Sequence, residues 1–312
     1  MSDLAASLTR GLDLPLIVAP MFLVSGPALV IEACRAGVIG TFPALNQRTS
    51  EGFEAWLDEI ETALAAGKPD GGPAAPFGVN LIVHPTNPRL KADLELVVKH
   101  KVPLVITSLG AVGEVVDAVH SYGGVVFHDV ITARHGAKAA AAGVDGLIAV
   151  AAGAGGHAGT LSPFALLKEL RRVFAGPIVL SGAMSSGGDI AAARAMGAEL
   201  AYMGTRFVAT EESLAPDAYK AMIVAAQAGD IVYTPKVSGV NANFMRQSLE
   251  ANGIDPNAAG TPKLDMDKEA KAWRDVWSAG HGVGGIADVP KVAALVARLR
   301  REYAQARDRL VG

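Results

Sequence analysis

The chain has 312 residues, half of them hydrophobic and 19% charged, so it can bury a large core and is not wholly disordered. Its net charge of −3 gives no basic footprint for nucleic acid or an anionic membrane. The single cysteine, Cys34, excludes an intrachain disulfide and a cysteine-based metal site, and fits a reducing, cytoplasmic setting.

In chain order, residues 14–31 carry no charge, but Pro15, Pro20 and Pro27 break any continuous membrane helix there. No basic, apolar, small-residue signal-peptide pattern precedes them. A regular pattern then follows: a short apolar run, a Gly/Pro/Ser break, and an alanine-rich segment with helical spacing. The runs are 16–19, 38–42, 77–81, 104–107, 124–128, 146–150, 178–180 and 200–203. They are near-continuous rather than alternating, which predicts strands buried on both faces of a parallel sheet. Helices are expected near 27–36, 50–66, 87–100, 111–121, 131–142, 162–174 and 187–196. Ser162 and Pro163 supply an N-cap with proline at the first helical position, and Gly67, Gly143 and Gly197 stand where helices should stop.

Eight such units in about 200 residues predict an α/β fold, a (β/α)8 TIM barrel. An open nucleotide-binding sheet would carry G-x-G-x-x-G after its first strand, where this chain has Pro20-Met21-Phe22. After residue 209 the pattern changes: 216–228 reads as helix, 231–237 as strand, 241–250 as helix and 253–265 as loop. Residues 210–276 are therefore expected to form a small capping insertion on a barrel made of 1–209 and 277–312. A second glycine loop at 277–286 and a final amphipathic helix near 288–309, packed on the outside, complete the chain.

Barrel enzymes work at the C-terminal ends of their strands. The residues there are Pro20, Met21 and Phe22, then Pro43, Asn80, Ser108, His128 and Asp129, the loop 153–160, Ser181-Gly182-Ala183, and Gly204-Thr205. The last two sets follow the seventh and eighth barrel strands, the usual phosphate cradle of this fold, and the helix start at Ser185–Gly188 could add amides. His128 and Asp129 are adjacent on a strand, so at most one faces the interior. In the loop 153–160 a lone imidazole, His157, sits among glycines that let another group approach the backbone closely. H-E-x-x-H, the G-x-x-x-x-G-K-[ST] phosphate loop and the G-x-S-x-G nucleophile elbow are all lacking, which argues against a metal site, a P-loop nucleotide site and a serine hydrolase.

Four pieces together resemble the nitronate monooxygenase (2-nitropropane dioxygenase-like) family of FMN-dependent barrels: APMF at 19–22, FGVNL at 77–81, AGGHAG at 154–159 and MGTRF at 203–207. WSAG at 277–280 is similar to a family segment that returns toward the flavin. The resemblance implies FMN as cofactor and His157 as the catalytic residue. It implies that Ser181, Gly182, Ala183, Gly204 and Thr205 hold the phosphate. Pro20, Met21, Phe22 and Asn80 would line the ring and ribityl chain, with Gly155 and Gly156 near the ring edge. His128 and Asp129 fall where some relatives place a flavin-side lysine, and Ala183 falls where many carry a second glycine. Phe22, Tyr233, Trp277 and Ser278 are candidate walls of the substrate pocket.

The reaction so implied is oxidation of alkyl nitronates, or nitroalkanes, by O2 to a carbonyl compound and nitrite. His157 would act as base or as a nitronate-binding cation. Two other readings stay open at this point. One is an NAD(P)H-dependent FMN reductase of the same build acting on a quinone or enoyl thioester; the other is a non-redox barrel binding a phosphorylated metabolite.

Overall fold

Strand side chains that point alternately inward and outward, and find apolar surroundings on both sides, require a sheet covered on both faces. The structure, a computed structural model, describes residues 9–108, 110, 112–237, 239–258 and 274–311. In chain order its strands are β1 (Leu16–Val18), β2 (Ile39–Pro43), β3 (Phe77–Ile82), β4 (Leu104–Ser108), β5 (Val125–Val130), β6 (Gly146–Val150), β7 (Gly156–His157), β8 (Ile178–Ser181), β9 (Leu200–Met203), β10 (Ile231–Thr234) and β11 (Ala242–Met245). β1 to β6, β8 and β9 close into a parallel barrel, with β9 pairing back onto β1. The eight apolar runs read from the sequence are these eight strands.

The inner face carries Ile17, Ile39, Ile106, Phe127, Ile148, Val179, Leu200 and Tyr202, a packed core rather than a pore. The outward residues between them, such as Val105, Val126, Leu147 and Leu180, pack under the helices. Each fully buried large side chain of this kind contributes about 1.5–3 kcal/mol of transfer free energy.

The helices are α1 (Pro27–Arg35), α2 (Ser50–Leu64), α3 (Leu90–Lys99), α4 (Gly113–His120), α5 (Ala133–Ala141), α6 (Pro163–Arg171), α7 (Gly187–Ala195), α8 (Thr205–Val208), α9 (Asp217–Ala225), α10 (Arg246–Ala251) and α11 (Val292–Val311). Gly67, Gly143 and Gly197 follow α2, α5 and α7 with φ of +73°, +85° and +95°, the left-handed turn that ends a helix. Ser162 is at the N-cap of α6 before Pro163, though its side chain makes no capping bond. The final helix α11 packs against α7 and α1 and fills the outer ring there. No described helix is long and apolar enough to cross a membrane.

Residues 241–250, expected to be helical, are instead the strand β11 followed by the short helix α10. Asn243 is polar yet buried with the other three, so the unbroken apolar run that marked the barrel strands is missing here. β11 pairs antiparallel with β10 on one side and with β7 on the other. This second sheet thus joins the 210–276 region to the loop after β6. Part of the loop expected at 253–265 lies outside the described residues.

Candidate active site

The register of β3, β4 and β5 decides which side chains meet at the mouth. Ile106 is level with Phe127 on the inner face, so Ser108 and Asp129, two residues further on each strand, also point inward. Asn80, level with Ile106, is buried on the same wall. These residues form a hydrogen-bonded row: Asn80 Nδ2 donates to Ser108 Oγ at 3.0 Å, and Ser108 Oγ donates to Asp129 Oδ2 at 2.6 Å. Asp129 Oδ1 is shielded from solvent and has no hydrogen-bond partner among the described residues. Burial raises the Asp129 carboxyl to about 6, against the opposing pull of the Ser108 hydroxyl and the His157 imidazole.

His128 does not belong to this site. It stands on the opposite side of β5, level with the outward Leu147, and its Nδ1 shares a 2.8 Å hydrogen bond with Thr107 Oγ1. Desolvation first, and the neighbouring His135 and Lys138 charges second, lower its imidazole to about 4. Asp129 is therefore the inward member of the pair, as strand geometry requires of one of two adjacent residues.

The glycine loop after β6 is fixed by its neighbours. Gly153, at φ +86°, offers a carbonyl that accepts from Ala183 N at 3.1 Å and from His281 N at 2.9 Å. A Cβ on Gly155 would come within 2.9 Å of Gly280 N and 3.2 Å of Thr205 Oγ1, so the three loops approach as only a glycine there permits. Gly156 N donates to Ser278 Oγ at 2.7 Å, and Asn243 Nδ2 donates to Ala154 O at 2.7 Å. His157 itself is half-buried and lies opposite Ala242 in the β7–β11 pairing. Tyr233, 39% exposed on β10, donates its hydroxyl to Ala158 O beside that histidine. The 277–280 segment does return to this loop. The Trp277 ring, however, stacks on Tyr219 with centroids 4.9 Å apart, which accounts for it by packing.

The loop after β1, with half-buried Pro20, Met21 and Phe22, comes against the loop after β9: a Cβ on Gly204 would lie 3.5 Å from Met21 Sδ. Its conformation depends on Asn46, a residue that the sequence did not single out. Asn46 accepts from Leu23 N at 2.8 Å and donates to Met21 O and Ser25 O at 3.1 and 2.7 Å, holding Leu23 at φ +59°.

At the expected phosphate cradle, Ser181 is buried, level with the inward Tyr202, while Gly182, Ala183, Gly204 and Thr205 are at least partly exposed. Gly182 has φ +136° and Ala183 φ +54°, a left-handed pair in which the alanine adopts the conformation a glycine would take more easily. The helix start at 185–188 does not contribute in the way expected. The Asp189 carboxylate accepts from Ser185 N and Ser186 N, and Glu302 accepts from Gly187 N at 2.7 Å, so that terminus is already capped by carboxylates. Thr205 Oγ1 accepts from Gly280 N at 2.9 Å, and Arg206 turns away to pair with Asp288 at 3.1 Å. Among the described residues one set of potential metal ligands, Asp58, Glu61 and His100, falls on α2 and just after α3, in the outer layer.

A closed parallel barrel with an imidazole, a half-buried carboxyl and glycine loops gathered at its C-terminal mouth has the construction of a barrel enzyme. The nitronate monooxygenase family model matches residues 7–302, and the chain belongs to that family of oxidoreductases. It is 27% identical to a nitronate monooxygenase of Paraburkholderia phytofirmans, over 96% of this chain and 95% of that protein. It is 30% identical to a 5-hydroxy-7a-methyl-1-oxo-octahydro-1H-indene-4-carboxyl-CoA dehydrogenase of Rhodococcus jostii, over 80% of this chain and 68% of that protein. Among solved structures, FabK from Thermotoga maritima superimposes with a TM-score of 0.82 at 24% identity, covering 99% of this chain and 98% of that one. A nitroalkane oxidase from Streptomyces ansochromogenes does so with a TM-score of 0.80 at 24% identity, covering 97% and 99%. These two likenesses establish the fold.

Proposed function

We propose that the protein is an FMN-dependent enzyme that oxidises alkyl nitronates with O2 to a carbonyl compound and nitrite. The observation that carries this reading is the placement of His157 on a short strand between the barrel mouth and the β10–β11 sheet, in a family whose name is that reaction. The residues present fit the cofactor. Gly182 and Ala183 are held open in left-handed backbone, and Gly155 is exposed where three loops meet. Ser181, Gly182, Ala183, Gly204 and Thr205 would hold the phosphate. Pro20, Met21, Phe22, Asn80, Gly155 and Gly156 would line the ring. When bound, FMN supplies the redox chemistry, accepting an electron from the substrate.

The chain's own residues do the rest. His157, as imidazolium, attracts the two nitronate oxygens; as the neutral base it takes the α-proton of a nitroalkane. The β10–β11 sheet, with Tyr233 at its exposed edge, acts as a cap that excludes water and orients the alkyl part. Oxygen uptake and nitrite release with a secondary nitronate test this directly. Wild type should release nitrite, and His157→Gln should lose most of that rate while retaining FMN; equal rates would remove His157 from the mechanism.

The Rhodococcus relative, whose name is a carboxyl-CoA dehydrogenase, favours a second reading in which a thioester substrate exchanges electrons with FMN and a nicotinamide. Membership of an oxidoreductase family sets the non-redox barrel aside.

A further inference from the structure

We propose that Asp58, Glu61 and His100 bind one divalent cation of the zinc, cobalt or nickel class, at a site in the outer layer of the barrel that does not depend on the cofactor reading.

Two packed helices build the site. Burial of Phe53, Leu57 and Ile60 fixes the rotation of α2, and Asp58 and Glu61, one turn apart, share its flank toward His100. His100 is the C-cap residue of α3, its backbone N–H donating to Leu96 O at 2.9 Å. Because α3 follows β3 and returns to where β4 begins, His100 lies at the end of the barrel away from the mouth. Each of the three residues brings one ligand atom to within 4.8 Å of the others, and His100 Nδ1 is 3.1 Å from Glu61 Oε2. Two ligand atoms each about 2.1 Å from one ion stand about 3 to 3.5 Å apart, so that pair already has the spacing an ion requires. Asp58 is exposed, which gives the ion a way in from solvent. The sequence carries no motif for this site, since His100 is 39 positions from Glu61 and meets it only through the packing of α3 on α2.

A second observation, separate from the carboxylates, points to a ligand. The His100 side chain is only 8% exposed, and its Nε2 has no hydrogen-bond partner among the described residues. A buried ring nitrogen in that state costs free energy, and native structures leave few of them. Nε2 faces Glu54, whose Oε1 is 3.8 Å away, too far for a hydrogen bond. Coordination of an ion through Nδ1 leaves the ring proton on Nε2, and a carboxylate that accepts from that N–H is the usual support of a metal-bound imidazole. Glu54 is in place to give it. Lys99 pairs with Glu54, so Asp58 and Glu61 bring two negative charges to the ion. An imidazole beside two carboxylates favours a first-row divalent ion over calcium or magnesium.

Calorimetric titration of untagged, chelator-treated protein with ZnCl2, near pH 7.5 in a weakly coordinating buffer, tests the site. Wild type should take up one ion per chain, and Asp58→Asn and His100→Gln should each weaken that uptake at least about tenfold. Saturating Zn2+ should raise the melting temperature of wild type more than that of either variant. Asp58 is exposed, so Asp58→Asn keeps the test available if His100→Gln does not fold. Absence of one-to-one Zn2+ uptake by wild type, or equal affinity of wild type and Asp58→Asn, overturns the inference.

Discussion

Asn243, buried on β11, donates its side-chain amide to the carbonyl of Ala154 at 2.7 Å, tying the β10–β11 sheet to the loop that carries His157. The two residues are 89 positions apart, and the bond holds the glycine loop where its own sequence would leave it free. Replacing Asn243 with alanine strips the carbonyl of its donor, at about 1–3 kcal/mol. Nitronate turnover should fall at least tenfold while the melting temperature drops by only a few degrees. A loss of folding without a loss of specific activity in the surviving protein would show that the bond is structural only.

The approach of Gly280 to the same loop is closer still. A Cβ on Gly280 would lie 2.5 Å from Gly153 O and 2.8 Å from Gly155 N, both backbone atoms that cannot swing aside. Gly280→Ala should therefore push the 277–280 segment off the loop and lower FMN occupancy. The ratio of flavin to protein absorbance after reconstitution reads this out. Unchanged occupancy would mean that the loops are not part of the cofactor site.

Ala183 holds φ +54° without being a glycine. The left-handed conformation costs an L-residue about 1–2 kcal/mol, offset in part by the extra chain entropy of glycine. Ala183→Gly should raise stability by up to about 1 kcal/mol with FMN affinity preserved, measured by urea unfolding. A fall in stability would show that the methyl group makes a contact that outweighs the strain.

Asp129 and His128, adjacent on β5, respond to pH in opposite directions. The folded state holds the Asp129 proton more tightly than the unfolded chain, about 6 against 3.8, so its stabilising contribution is present at low pH and is lost as pH rises through that window. The folded state holds the His128 proton less tightly, about 4 against 6.5, so its contribution is present above 6.5 and is lost as pH falls toward 4. Each effect is on the order of 3 kcal/mol. Asp129→Asn should raise the melting temperature near pH 7.5 and not near pH 4. His128→Leu should blunt the loss of stability between pH 6.5 and 4 and leave nitronate turnover intact. A His128→Leu variant with normal stability and no turnover would return that residue to the site.

The barrel was legible because its strands are buried on both faces: runs such as 16–19 and 146–150 have no polar interruption to confuse with a helix. The helix stops at Gly67, Gly143 and Gly197 were legible for a local reason, the left-handed turn. β11 was not, because the polar Asn241 and Asn243 interrupt any apolar run there and its strand character comes from pairing with β10 and, across the chain, with β7. Asn46 was invisible for the same kind of reason, since its three bonds to the β1 loop depend on tertiary position. The helix start at 185–188 looked like an anion site in sequence, but Glu302 occupies one of its amides from 115 positions away. The motif at 154–159 stood out as a candidate because glycine, unlike a core residue, has few reasons to cluster around an imidazole.

The measurement that bears most directly on the function is the absorbance spectrum of the FMN-reconstituted protein, followed anaerobically while a nitronate and then, separately, NADH is added. The nitronate should bleach the flavin band within the time of turnover, and NADH should leave it unchanged. Bleaching by NADH with no response to the nitronate would contradict a nitronate-oxidising role and assign the chain to the reductases.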